Sequence, residues 1–97
     1  MEFSATKLEG CFIVRPKKIA DERGHFARAF CQDEFVQHGL EPNMLQLNSG
    51  YSHRAGTVRG LHYQTAPHLE AKFVRCTRGA IFDVVVDMRA GSPTRGQ

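Results

Sequence analysis

A mainly β architecture is what this 97-residue sequence predicts: antiparallel strands in a sandwich or barrel, with one short helix. Three observations carry the prediction. Six or so short segments have the β-branched and aromatic content, or the period-two alternation, of strands. Turn residues separate them. Helical signals gather in one place only, between Asp33 and Gly39.

In chain order, Cys11-Phe12-Ile13-Val14-Arg15 is a short strand closed by Pro16. Asp21-Glu22-Arg23-Gly24 is a turn that feeds a second strand, His25 to Phe30. The helix covers Asp33 to Gly39: acids stand at its start, where the dipole favours them, Gly39 stops it, and Pro42 lies just beyond. Met44-Leu45-Gln46-Leu47-Asn48 alternates with period two before a loop from Asn48 to Gly56. Three further strands are expected at 57–64, 71–76 and 80–88. In the last, Phe82, Val84, Val86 and Met88 share one apolar face, and Arg78-Gly79 makes the turn before it. Ala90 to Gln97 has the composition of a turn that ought to feed another strand. Five to seven strands make a curved sheet but leave its edges unprotected, so completion by a partner chain or a further segment is expected.

Composition bounds the function. The chain is 41% hydrophobic and 24% charged, the balance of one small globular domain over 1–97. No apolar run approaches the roughly 18–20 residues that span a bilayer, and the Met1-Glu2-Phe3-Ser4 start lacks the apolar stretch of a secretory signal. Cys11, Cys31 and Cys76 fit neither a CxxC zinc motif nor a closed disulfide set, which suits small thiols in a reducing cytoplasm. Net charge is +3, with the excess in Arg54, Arg59, Lys72, Arg75, Arg78, Arg89 and Arg95. Scattered singly through strand-like sequence, these residues suit a small anionic ligand better than nucleic acid.

The richest segment is Gly56 to Gln64. Residues three apart on a regular strand face opposite ways, so Arg59 and His62 meet only if Gly60 introduces a bulge. With the bulge, a cation lies beside a base; without it, Arg59 is a solvated cation and His62 an edge histidine. Lys72 is either a solvated strand-start lysine or, facing His62 across a hairpin, a group that steadies an enolate oxygen. Gln46 and Asn48 share a face, as ligand contacts or as edge polar residues. His53, His62, His68 and Glu70 are the only plausible metal ligands, and no His-x-His pair exists, so no metal and no other cofactor is expected. A nucleophile elbow and a phosphate-cradling glycine loop are both lacking.

Taken together, Asp21-Glu22-Arg23-Gly24-x-Phe26, Gln46-x-Asn48, Arg59-Gly60-Leu61-His62-Tyr63-Gln64, Lys72-x-Val74-Arg75-Cys76, Asp83-Val84-x-Val86-Asp87 and Ser92-Pro93-Thr94 resemble the dTDP-4-dehydrorhamnose 3,5-epimerase family. The likeness runs nearly the whole chain and covers about the N-terminal half of that family's usual length. It implies a cupin jelly-roll, here partial, a homodimer, no metal, and isomerase chemistry. The reaction inverts carbons beside the ketone of a dTDP-4-keto-6-deoxy sugar. By motif, His62 matches the base and Lys72 the partner of the developing oxyanion. Arg59, Gln46 and Asn48 match ligand contacts, and Arg23 and Phe26 match positions that reach into a neighbouring subunit's site to hold the nucleotide. Arg28 stands where better-known members carry Glu. The family's acid tyrosine, and the carboxylate that orients its histidine, fall in the half not represented. Two other readings stand beside the isomerase: a non-catalytic fragment that binds a sugar nucleotide or dimerises, and a metal-dependent cupin oxygenase.

Overall fold

The computed structural model describes residues 1–97 and contains four short strands and one helix: β1 (Glu2–Ala5), β2 (Phe12–Arg15), β3 (Lys18–Asp21), β4 (Gly24–Ala27) and α1 (Gln32–Gln37). The strands form two separate antiparallel hairpins, β1 with β2 and β3 with β4. The chain divides into two compact units, residues 1–45 with 87–97, and residues 46–86.

In the first unit, Phe3 pairs with Val14 and Ala5 with Phe12 across β1 and β2. Thr6 organises the connection between them: its hydroxyl accepts from the Leu8 N–H (3.1 Å) and donates to the Cys11 carbonyl (2.9 Å). This is the local side-chain turn that Ser and Thr offer a backbone leaving a strand. The second hairpin sets Ile19 opposite Phe26 and Asp21 opposite Gly24, so Glu22 and Arg23 form its two-residue tip. The Asp21 carboxylate accepts from the Arg23 N–H at 2.8 Å.

Helix α1 has six residues, too few to stand without packing. Phe35 supplies the packing: it is buried, with Phe30 and Phe3 edge-on at ring separations of 4.8 and 5.8 Å. His38, the C-cap, stacks on Phe3 at 3.9 Å. The helix ends in a Schellman pattern, Leu40 N–H to Phe35 carbonyl (2.9 Å) and Gly39 N–H to Val36 carbonyl (3.0 Å). Gly39 has φ +68, the left-handed conformation this stop requires. Glu34 receives the Met1 ammonium at 2.8 Å, which holds its carboxyl below the usual range.

The last eleven residues fold on Asp87. Its backbone N–H donates to the Gln97 carbonyl (2.9 Å) and its carbonyl accepts from the Gly96 N–H (2.7 Å). Its buried carboxylate accepts from Arg89 Nε and Nη2, both at 2.9 Å, from the Thr94 hydroxyl at 2.7 Å, and from the Ser92 hydroxyl.

The 46–86 unit corrects the sequence expectation. No strand forms at 57–64, 71–76 or 80–88, nor at 44–48. The alternation is present, but a strand exists only when a neighbour takes up its N–H and C=O groups. Within 46–86 the one backbone hydrogen bond closes the turn from Thr65 to His68 (2.8 Å). The apolar faces lie open accordingly: Leu47 is 89% exposed and Phe82 94%. Conversely, β1 and β3 form where no strand was read, because each is one turn from its partner and hairpin pairing stabilises it locally.

Candidate active site

Arg23 and Phe26 sit on the β3–β4 hairpin, in the first unit. The Arg23 guanidinium bends back to Asp21, Nη2 to carboxylate at 2.7 Å, and this hydrogen bond holds the Asp21 carboxyl below its ordinary value. Phe26 projects opposite Ile19 and is 72% exposed, so the hairpin presents an aromatic and an aliphatic side chain to solvent side by side. Arg28, just past β4, lies 3.7 Å from the second Glu34 oxygen. The residue that departs from the family pattern thus has a role inside its own unit: it faces the carboxylate that already anchors Met1.

The remaining candidates lie in residues 46–86. Gln46 and Asn48 are exposed, in a stretch with no regular secondary structure. Arg59 is the most ordered of the set. Its Nε donates to the Ser52 hydroxyl (3.1 Å) and its Nη2 to the Tyr51 carbonyl (3.0 Å), tying residue 59 back across the loop. Inside that loop the Thr57 hydroxyl donates to the Arg54 carbonyl at 2.8 Å, and the Tyr51 and His53 rings meet edge-on at 5.0 Å.

Gly60 adopts φ +96, which a side chain would strain. The backbone there bends so that a Cβ on Gly60 would lie 3.4 Å from the His62 backbone nitrogen and 3.5 Å from its Nδ1. The bulge that would bring Arg59 and His62 together has no partner strand to be a bulge against, and the positive φ of Gly60 stands two residues before the histidine. His62 is exposed, as is Lys72, whose ammonium pairs with Glu70 at 3.2 Å. Within the unit no hydrogen bond or ion pair joins Arg59, His62 and Lys72 to one another. Chemically the segment offers an imidazole, an ammonium and a fixed guanidinium, the groups needed to remove a proton, steady an oxyanion and hold an anion.

Sequence reasoning missed three participants. Ser52 and Tyr51 position Arg59, and nothing in a spacing of seven or eight residues across a loop signals it. Glu70, weighed only as a metal ligand, is instead the partner of Lys72. Nowhere do three His, Cys, Asp or Glu side chains converge as a metal would require. Asp87 gathers Arg89, Ser92 and Thr94, for which Asp-x-Arg followed by Ser-Pro-Thr is the visible signal. These hydrogen bonds, Arg89 foremost, hold its carboxyl far below the usual range.

Residues 5–97 match the family described as dTDP-4-dehydrorhamnose 3,5-epimerase. A protein of that name from Sinorhizobium fredii is 43% identical over 97 residues, all of this chain and 50% of the relative. The Escherichia coli K12 protein of the same name is 37% identical over 99 residues, all of this chain and 52% of the relative. A dTDP-4-dehydrorhamnose 3-epimerase from Streptomyces niveus is 44% identical over 90 residues, 92% of this chain and 43% of the relative. The chain spans about half the length of the relatives it matches. No solved structure matches it.

Proposed function

Because this chain belongs to the dTDP-4-dehydrorhamnose 3,5-epimerase family, we propose that it supplies the proton-abstracting half of a nucleotide-sugar epimerase. The observation that carries the reading is the match over residues 5–97, within which His62, Lys72 and Arg59 all lie. In the proposed step, His62 removes the proton from the carbon beside the ketone of a dTDP-4-keto-6-deoxy sugar. The electron pair moves onto the ketone oxygen, where the Lys72 ammonium stabilises the enolate. Solvent then returns a proton to the carbon. Arg59, Gln46 and Asn48 hold the substrate, and Arg23 and Phe26 hold the nucleotide of a neighbouring subunit.

The same reading makes residues 1–97 a single incomplete cupin domain that works as a homodimer. The exposed area supports completion by further chain: 9064 Å² is accessible, about 3,500 Å² beyond what a folded monomer of this mass leaves to water. An excess of that size on one chain is more than a transient interface buries on both partners together. Three free thiols support a reducing compartment, the cytoplasm. No helix is long and apolar enough to cross a membrane.

Solvent-deuterium exchange into dTDP-4-keto-6-deoxyglucose tests the proposal. Deuterium should appear at carbon 3 or 5, and His62→Ala should abolish it while leaving ligand affinity nearly intact. No exchange at any protein concentration overturns it in favour of a second reading, a fragment that only binds the sugar nucleotide. That second reading has its own support, since Lys72 is paired with Glu70 and no carboxylate orients His62.

A further inference from the structure

We infer that Ser52 is a positioning residue that presents Arg59 to the diphosphate of the substrate, an inference that rests on the proposed function and adds a residue to it. A guanidinium carries five N–H donors in a planar fork. Ser52 Oγ and the Tyr51 carbonyl accept from Nε and Nη2, the two nitrogens of one edge of that fork, at 3.1 and 3.0 Å. The opposite edge, with both Nη1 hydrogens and the second Nη2 hydrogen, has no partner within the protein. It is the edge that takes two oxygens of a phosphate side by side. No carboxylate pairs with Arg59, so its charge is not spent inside the chain.

Fixing the first edge matters because an exposed arginine otherwise samples many rotamers, and ordering it opposes binding. The two acceptors are neutral. They hold the plane without neutralising it, unlike Asp21, which covers the Arg23 guanidinium, or Glu70, which covers the Lys72 ammonium. Of the two, only Ser52 contributes through its side chain. Tyr51 acts through its carbonyl, which every residue has, so the identity of residue 52 sets how firmly Arg59 is aimed.

The test is dTDP binding by calorimetry to the whole chain, with thymidine as the phosphate-free control. Arg59→Ala should lower dTDP affinity at least tenfold. Ser52→Ala should lower it about fivefold, the net scale of one ordinary hydrogen bond. Ser52→Thr, which keeps the hydroxyl, should restore it, and thymidine binding should not change in any variant. If wild type fails to bind dTDP, or Arg59→Ala binds it unchanged, the proposed function fails and takes this inference with it. If Arg59→Ala weakens binding but Ser52→Ala does not, or Ser52→Thr fails to rescue, the positioning role alone is overturned.

Discussion

Residues 1–45 with 87–97 and residues 46–86 both carry strand-like segments, yet only the first unit pairs them. In the first, every strand pairs with one that follows within a short connection, and Phe35 and Leu8 are buried. In the second, strand-like segments have no neighbour, and Val58, Leu61 and Phe82 face solvent. Local hairpins need little loop closure, whereas sheets of distant segments form only when all of them are present. The polar candidates of the site fall mostly in the second unit, the one without paired strands.

Amide hydrogen exchange breaks or sharpens the contrast most directly. Amides of β1 and β2 should be protected, and those of 57–64, 71–76 and 80–86 should exchange at nearly intrinsic rates. Protection in these segments, in the isolated chain, would erase the difference between the units. Next in size is Phe35→Ala, which removes the largest buried side chain of the first unit. A loss of about 3 kcal/mol in urea unfolding is expected, against no change in exchange rates within 46–86.

Asp87→Asn should have a smaller effect that depends on pH. The Asp87 carboxyl is depressed by Arg89, Ser92 and Thr94 from an ordinary 3.8. Its stabilisation is therefore complete above the unfolded value and drains away as the pH falls below about 4. Thermal midpoints of wild type should drop in that acid range. Those of Asp87→Asn should start lower at neutral pH and vary less. A parallel acid limb in the variant would show that another carboxyl, such as Glu34, controls it.

The sequence carried the local devices well. The helix expected over 33–39 is found at Gln32–Gln37 with Gly39 as its stop, and the strand at 11–15 is found at Phe12–Arg15. Glycine and acid positions act through neighbouring residues, so they are legible one residue at a time. The strand pattern at 57–64 records which face of a sheet each side chain would occupy and says nothing about whether a second strand arrives. Of the candidate site, Gly60 was legible as a place where the backbone could leave a regular strand, because a positive φ depends on one residue. The holding of Arg59 by Ser52 was not, since it follows from a loop path that no local pattern encodes.

The contact between Lys72 and Glu70 bears on how this protein would respond to ionic strength. Both side chains are about half exposed, so their attraction is weak and easily screened. Moderate salt frees the ammonium for an incoming anion, and higher salt weakens the anion's own attraction to it. Opposed trends of this kind give anion binding at Lys72 a shallow optimum in salt rather than a monotonic decline.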